Sequence, residues 1–250
     1  MIKLILLAIL SLHVDTLMIP WGSGDGQLGI MLKVEEDAGP NMGPLAFDVE
    51  DGKIAFLDIY NKRIAFFRRD GSFEDSWKLD GYFDNIVLWQ GNVYLANSDW
   101  DSITIARMND GKIVEKSILK VGTPIVGASV NFLKDFSNNV MFIKYSSANK
   151  GKIGTFFTLF KNNLTKSDFL KGDPTDTRAG AVVGYDNSRT PVLLRFKDGN
   201  FYFKHGKEEY MWEPIFFAQM DGPPYRIDRD GTLYIVNYLE EGVEILEVTW

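Results

Sequence analysis

The chain has no cysteine, and its two histidines are His13 and His205. The absence of cysteine excludes disulfides, thiolate metal ligands and thiol nucleophiles. A serine nucleophile needs a base held beside it, and no Gly-x-Ser-x-Gly elbow occurs in the sequence. A lone histidine such as His205 is more often structural than catalytic, although its pKa suits acid–base work. The sequence therefore carries no catalytic signature.

Basic charge is also scarce, because 27 Lys and Arg stand against 34 Asp and Glu, which gives a net charge of −7. Nucleic acids and anionic membranes are bound by clustered cations, so the balance argues against both as partners. The uncharged apolar run Leu4–Leu12 is shorter than the about 20 residues of a membrane span. With Lys3 before it, this run predicts an export signal peptide over residues 1–16. The alternative is a buried N-terminal strand.

Aromatic residues and glycine are abundant, with 14% Phe, Trp and Tyr and 23 Gly. Aromatics favour strands and glycine favours tight turns. From Leu45 onward, short apolar strands alternate with polar turns at a period of about 40 to 50 residues, which is typical of propeller blades. Asp-Gly pairs, which suit tight hairpins, mark many of these turns. Their aspartates are Asp51, Asp70, Asp110, Asp198 and Asp230.

This periodicity predicts an all-β fold, with residues 17–250 forming a single β-propeller of four-stranded antiparallel blades. Five blades are expected, and six if the long third unit contains an additional one. The last unit supplies three strands, which would leave an exposed edge. An N-terminal strand over Leu28–Val34 is expected to pair with that edge and close the ring.

Two stretches resemble the NHL repeat. The first runs from Trp21-Gly22-Ser23-Gly24 to Gly26-Gln27-Leu28, and the second from Gly43-Pro44-Leu45-Ala46-Phe47-Asp48 to Asn61-Lys62-Arg63-Ile64. The resemblance covers about residues 21–68 and is weak elsewhere, where Asn97 stands in place of the family's Asp. It implies a β-propeller whose one face binds proteins, RNA, peptides or glycans. Some relatives are enzymes with histidine metal ligands, and this chain has too few histidines for that chemistry.

Polar residues at corresponding places near strand ends are candidates for a binding site at the channel mouth. They are Asp58, Asn97, Tyr145, His205 and Asn237. The alternative is that they cap strands within their own blades. Asn61 and Arg63 follow Asp58 and join the candidate set, and Asp58 and Arg63 are expected to form an ion pair within one blade.

The loop Asn97-Ser98-Asp99-Trp100-Asp101 places oxygen ligands at alternate positions, a pattern that suits Ca²⁺. The alternative is a loop shaped by hydrogen bonds from Asp and Asn to their own backbone. Trp100 stands out because an aromatic ring in a polar loop can stack on a sugar or a peptide. Candidate metal ligands are Asp58, Asn97, Asp99 and Asn237.

The sequence favours an exported, secreted or periplasmic, monomeric module that binds a protein, peptide or glycan on one face without catalysis or cofactor. The alternative is a Ca²⁺-dependent propeller hydrolase or lactonase with its ligands at the channel mouth. A third hypothesis is that the chain is a piece of a longer repeat protein. Fold alone does not choose among them.

Overall fold

The computed structural model describes residues 12–32, 41–121, 125, 130–136, 140–149, 152–160, 176–177, 180–215, 218–219 and 223–250. These residues form strands and turns, which confirms the all-β class. None of them belongs to a helix with the length and apolar character needed to cross a membrane. In chain order the strands are β1 (His13–Pro20), β2 (Asn41–Met42), β3 (Phe47–Glu50), β4 (Lys53–Asp58), β5 (Arg63–Arg68), β6 (Phe73–Lys78), β7 (Asn85–Trp89), β8 (Asn92–Ser98), β9 (Ser102–Asn109), β10 (Lys112–Lys120), β11 (Asn131–Asp135), β12 (Val140–Asn149), β13 (Lys152–Phe160), β14 (Asp176–Thr177), β15 (Gly180–Tyr185), β16 (Pro191–Lys197), β17 (Asn200–His205), β18 (Glu208–Trp212), β19 (Ala218–Gln219), β20 (Tyr225–Ile227), β21 (Leu233–Tyr238) and β22 (Gly242–Thr249).

The strands form four large sheets in a propeller arrangement. Three of these sheets have four antiparallel strands, in the orders β3-β4-β5-β6, β7-β8-β9-β10 and β1-β22-β21-β20. The fourth has eight strands, because a single parallel pairing of Asp135 with Tyr185 joins β11–β13 to β14–β18, in which β14 pairs with β15. The predicted count of five blades, or six, is therefore wrong for the described sheets: the third and fourth repeat units share one sheet.

The first strands of the repeat units (β3, β7, β11, β15 and β20) run in the same direction and end at one edge of the molecule. The Glu50 carboxylate at the end of β3 accepts hydrogen bonds from the backbone of turn 90–91, which follows β7, at 2.8 and 3.2 Å. The Asp228 carboxylate, which follows β20, likewise accepts hydrogen bonds from the backbone N–H groups of Asp51 and Gly52, at 2.9 and 3.0 Å. We call this edge the turn face.

The opposite edge carries the longer connections, and we call it the loop face. Its described segments are residues 21–32, 79–84, 97–101, 213–215 and 239–241. The first strands begin at this edge, and the second strands end there. A residue's place in its strand therefore decides which face it reaches.

The Asp-Gly pairs form turns, as predicted, but with two backbone geometries. At Asp51, Asp110 and Asp198 both the aspartate and the following glycine have positive φ, as two-residue type I′ hairpins require. At the pairs beginning with Asp70 and Asp230, only the glycine has positive φ, 79° and 91°. The sequence pair thus predicted each turn but not its backbone type.

The apolar core lies between neighbouring sheets. One cluster joins the sheet of β1 and β20–β22 to that of β3–β6 and includes Ile19, Phe47, Phe56 and Tyr234. Similar clusters follow between β3–β6 and β7–β10, and between β7–β10 and β11–β12. Since strand side chains alternate between two faces, each sheet buries one face against each neighbour.

The N-terminal outer strand lies earlier in the chain than predicted. His13–Pro20 pairs along its whole length with β22, from His13 opposite Thr249 to Pro20 opposite Gly242. The segment beginning at Leu28 instead makes isolated bridges, so its predicted role as outer strand is wrong. Residues 13–20 take the outer place because Ile19 is buried in the core between the sheets. The predicted signal peptide stays a prediction, with residues 1–11 outside the described part.

Replacing Ile19 with alanine tests whether β1 belongs to the folded domain. Ile19 is 1% exposed, so Ile19→Ala should lower the free energy of unfolding by about 2–5 kcal/mol. Met18, its neighbour in the same strand, is 44% exposed, and Met18→Ala serves as the control, with little expected effect. Urea unfolding followed by tryptophan fluorescence measures both. Equal, small effects would show that β1 is not part of the core.

Candidate functional site

A buried carboxylate connects the first strands at the centre of the propeller. Asp48 in β3 is fully buried and accepts a hydrogen bond from the Leu88 backbone N–H of β7 at 2.7 Å. Lys134 of β11 donates to the same oxygen from 2.9 Å and also to the carbonyl of Val49. Arg226 of β20 places its Nε 3.3 Å from the other oxygen. Asp48 therefore joins four of the first strands.

Arg226 is held by several contacts besides Asp48. Its Nη1 donates to the carbonyls of Pro223 and Tyr225 at 3.1 and 2.9 Å, and its guanidinium lies over the ring of Phe47. Burial lowers the pKa of Arg226, and the Asp48 charge opposes that shift. Arginine is effectively always protonated in proteins, and the neighbouring Asp48 carboxylate favours its charged form.

The sequence analysis missed Asp48, Lys134 and Arg226. Each interrupts an apolar strand with a charge, and such a residue is almost never buried unless it is paired. That signal was present in the sequence. It did not show that the three charges meet, because they lie in different repeat units.

Asp58, Asn61 and Arg63 form one cluster, and its role is structural. The Asp58 carboxylate accepts hydrogen bonds from Gly29 N at 3.1 Å, Asn61 Nδ2 at 2.8 Å and Arg63 Nε at 3.1 Å. Arg63 also donates to the carbonyls of Gly24 and Gln27. The expected Asp58–Arg63 ion pair is present, and the cluster ties the loop after β1 to the β3–β6 sheet.

The loop 97–101 presents Trp100 to solvent. Its side chain is 75% exposed, while the carbonyl oxygen of Trp100 accepts a hydrogen bond from Ile125 N at 2.8 Å. On either side, Asp99 N donates to the Ser102 carbonyl and Val121 N to the Asp101 carbonyl, both at 2.8 Å. Asp99 is exposed, and Asp101 lies 3.9 Å from Lys120 Nζ. Three backbone hydrogen bonds therefore hold loop 97–101 in place, while the Trp100 ring that the loop carries is exposed to solvent.

Asn237 ends the second strand of its unit at the loop face but is turned inward. It is 3% exposed, accepts a hydrogen bond from Trp212 Nε1 at 3.0 Å and donates to Glu244 Oε2 at 2.7 Å. These contacts join β21 to β18 and β22. The bond to Glu244 lies within one sheet, as the capping alternative expects, whereas the bond from Trp212 comes from the neighbouring sheet.

Tyr145 and His205 do not lie where the repeat alignment put them. Tyr145 is in the interior of β12, which continues to Asn149. His205 ends β17, the third strand of its unit, and so reaches the turn face, where its Nε2 lies 3.0 Å from Asp186 Oδ2. The prediction treated both residues as ends of second strands, which would reach the loop face, whereas β17 is the third strand of its unit. The predicted ring of five polar residues at one mouth is therefore wrong.

No hydrogen bond described above joins two of the candidate metal ligands. Asp58, Asn97 and Asn237 belong to three different sheets, and the hydrogen bonds described above for Asp58 and Asn237 go to residues outside the candidate set. Within the residues that the structure describes, no group of three or more His, Asp or Glu is placed to hold a metal ion. The described geometry therefore offers no support for the calcium site.

No protein-family model matches this chain, and no curated protein matches it. Similar solved structures include the PQQ-bound aldose sugar dehydrogenase of Streptomyces coelicolor, at 10% identity over 96% of this chain and 99% of that chain, with a TM-score of 0.47. A putative oxidoreductase (glucose dehydrogenase) of Thermus thermophilus has 11% identity over 95% and 100%, with a TM-score of 0.45. A gluconolactonase of Xanthomonas campestris has 9% identity over 84% and 90%, with a TM-score of 0.39.

At identities of 9–11%, these similarities bear on the fold alone. At TM-scores below 0.5, they support no argument about what this chain does. The resemblance to the NHL repeat has no family match behind it and stays a prediction. The function must therefore be argued from the residues themselves.

Removing the Asp58 carboxylate tests the structural role of its cluster. Asp58→Ala would leave the buried Arg63 cation without its buried carboxylate partner, with only the exposed Asp25 3.9 Å away. Such a loss typically destabilises a protein by about 3–5 kcal/mol. Asp80→Ala is the control, because Asp80 is 81% exposed and pairs only with the exposed Lys78; it should change stability little. Urea unfolding measures both. A small effect of Asp58→Ala would mean that the loop is not held by this carboxylate.

The pH dependence of unfolding tests the contacts of Asp186. Burial raises the pKa of Asp186, but hydrogen bonds from Ser188 and Thr190, together with His205, bring it below the ordinary value. Asp186 therefore stabilises the fold at neutral pH, and this contribution is lost as the pH falls below the unfolded value of about 3.9. Asp186→Asn should be less stable than wild type at pH 7, with a gap that narrows toward pH 3. The exposed Asp198→Asn variant is the control, and a gap independent of pH would contradict the assignment.

Proposed function

We propose that this chain is an exported, non-catalytic binding module that takes a protein, peptide or glycan on its loop face. The observation that carries the proposal is Trp100, a ring 75% exposed on a loop fixed by hydrogen bonds. Tryptophan is enriched among the residues that dominate binding energy. Exposure of so large an aromatic side chain is explained if a ligand covers it.

The fixed backbone of loop 97–101 favours binding further. A loop that is already in place loses little conformational entropy when a ligand arrives. The tryptophan ring offers an apolar surface for stacking, and its N–H can donate a hydrogen bond. Both properties suit a sugar ring or a peptide side chain.

The distribution of exposed apolar side chains favours the loop face over the turn face. Besides Trp100, the loop face exposes Met31, Leu32, Tyr82 and Ile215, each more than half exposed. The turn face uses its carboxylates internally, since Glu50 and Asp228 bind the backbone of neighbouring turns. The loop face thus offers exposed apolar side chains on its connecting segments, whereas near the turn face Ile113 and Val114 are exposed within a strand, β10.

The negative charge around Trp100 limits which ligands can bind there. Asp99 and Asp101 flank the ring, and the whole chain carries a net charge of −7. Long-range repulsion opposes a polyanion, so nucleic acid and anionic membrane stay outside the proposal. A neutral glycan or a neutral to basic protein or peptide fits this surface.

The proposal of export rests on the N-terminal apolar run Leu4–Leu12, which is expected to act as a signal peptide. Removal of this peptide is compatible with the fold only if the cleavage site lies before β1. Cleavage after Thr16 would remove half of the pairs between β1 and β22. We therefore place the cleavage before His13, four residues earlier than the sequence pattern suggested. The protein is proposed to act as a monomer outside the cytoplasm, which N-terminal sequencing and gel filtration of the secreted or periplasmic form test.

Replacing Trp100 tests the proposed site. Wild-type protein is applied to glycan and peptide arrays, and the affinity for each ligand found is measured by titration. Trp100→Ala should bind about 30-fold more weakly, as expected for a central aromatic contact, with unchanged thermal stability because the ring is exposed. Ile118→Ala, which removes a 59% exposed side chain from β10, is the control and should bind normally.

Equal affinity of wild type and Trp100→Ala for every ligand would reject this face as the site. Hydrolysis of an ester or lactone that requires Ca²⁺ and disappears in Asn97→Ala would overturn the non-catalytic proposal in favour of the hydrolase.

A further inference from the structure

A buried carboxylate joins segment 79–84 to the loop that carries Trp100. Asp84 is 7% exposed, and its carboxylate accepts hydrogen bonds from the backbone N–H and the hydroxyl group of Ser98, at 3.0 and 2.8 Å. The Asp84 N–H donates to the Ala96 carbonyl at 2.9 Å. Segment 79–84 is therefore fixed to the end of β8, where loop 97–101 begins.

Both of these connections expose an aromatic ring at the loop face. Trp100 is 75% exposed, and Tyr82, two residues before Asp84, is 59% exposed. The face of an aromatic ring carries partial negative charge and attracts a cation, most strongly at tryptophan. The joined connections thus present apolar surface that also favours positive charge.

Carboxylates accompany the Trp100 ring. Asp99 and Asp101 flank Trp100 in the chain; Asp99 is exposed, and the Asp101 side chain is 49% exposed. Lys120 places its Nζ 3.9 Å from Asp101, and its own side chain is 73% exposed. A pair between side chains as exposed as these contributes little to stability, so an incoming cation can take the place of Lys120.

We propose that the loop-face site around Trp100 binds an arginine side chain of a basic protein or peptide. The guanidinium group stacks on the Trp100 ring and donates hydrogen bonds to the carboxylates of Asp99 and Asp101. This inference rests on the proposed function, because it names the ligand class of the same site.

A guanidinium group fits this surface better than a sugar or a lysine side chain. It is planar, stacks on aromatic faces, is more weakly hydrated than an ammonium group and pairs well with carboxylates. A neutral sugar would use the ring but gain nothing from the charges of Asp99 and Asp101. The net charge of −7 adds a long-range attraction for a basic partner.

Titration with the peptides tetra-arginine, tetra-lysine and tetra-citrulline tests the inference. Citrulline has nearly the shape of arginine but no charge. At about 0.15 M salt, where exposed charges are screened beyond about 8 Å, tetra-arginine should bind wild-type protein at least about tenfold more tightly than tetra-citrulline. Tetra-lysine should bind more weakly than tetra-arginine. Calorimetry measures the three affinities.

Two variants separate the ring from the charges. Trp100→Leu keeps an apolar side chain but removes the ring, and it should weaken tetra-arginine binding about tenfold. Asp99→Asn combined with Asp101→Asn should weaken it by a similar factor, with unchanged thermal stability because these side chains are exposed. Asp110→Asn combined with Asp198→Asn is the matched control: it removes the same charge from two exposed turns elsewhere and should bind like wild type.

Equal affinity for tetra-arginine and tetra-citrulline would overturn the inference, and so would equal weakening by the double variant and its control. If a neutral glycan requires Trp100 and tetra-arginine does not bind, the inference is wrong and the proposed function stands. If no ligand requires Trp100, both are wrong.

Discussion

The buried carboxylate of Asp48 holds the centre of this molecule together. Its oxygens contact groups from β7, β11 and β20, and its own strand, β3, lies among them. A buried carboxylate is tolerated only where partners replace the lost water. Those partners must approach from several directions, so the charge fixes how the first strands are arranged around the axis. The positions of the outer strands and loops follow from that arrangement.

The two edges of the propeller serve different purposes. At the turn face, carboxylates at the ends of first strands bind the backbone of neighbouring turns, as Glu50 and Asp228 do. At the loop face, hydrogen bonds such as those of Asp58 hold connecting segments in place and leave side chains such as Trp100 open. The sheets therefore support a loop face whose connecting segments are held by hydrogen bonds, an arrangement that suits the proposed binding.

Part of the candidate site was predictable from local sequence. Asp58 and Arg63 lie five residues apart across one hairpin, so their ion pair depends on a single strand pairing. Trp100 stood out because its neighbours in the loop are polar. The strand positions of Tyr145 and His205 were not predictable, because a one-strand error in the repeat alignment moves a residue to the opposite face. The meeting of Asp48 with Lys134 spans 86 residues of chain and depends on how sheets pack.

The sequence by itself determined the all-β class, the repeat of strands and turns, the positions of the Asp-Gly turns and the net negative charge. These follow from side-chain periodicity, turn residues and composition, all of which act locally or additively. The tertiary structure alone decided that residues 13–20 are the outer strand, that two repeat units share one sheet, and that Asp48, Lys134 and Arg226 meet at the centre of the propeller. Each of these features depends on which distant strands become neighbours. The packing of whole sheets determines those neighbours, and the local sequence pattern contains no information about it.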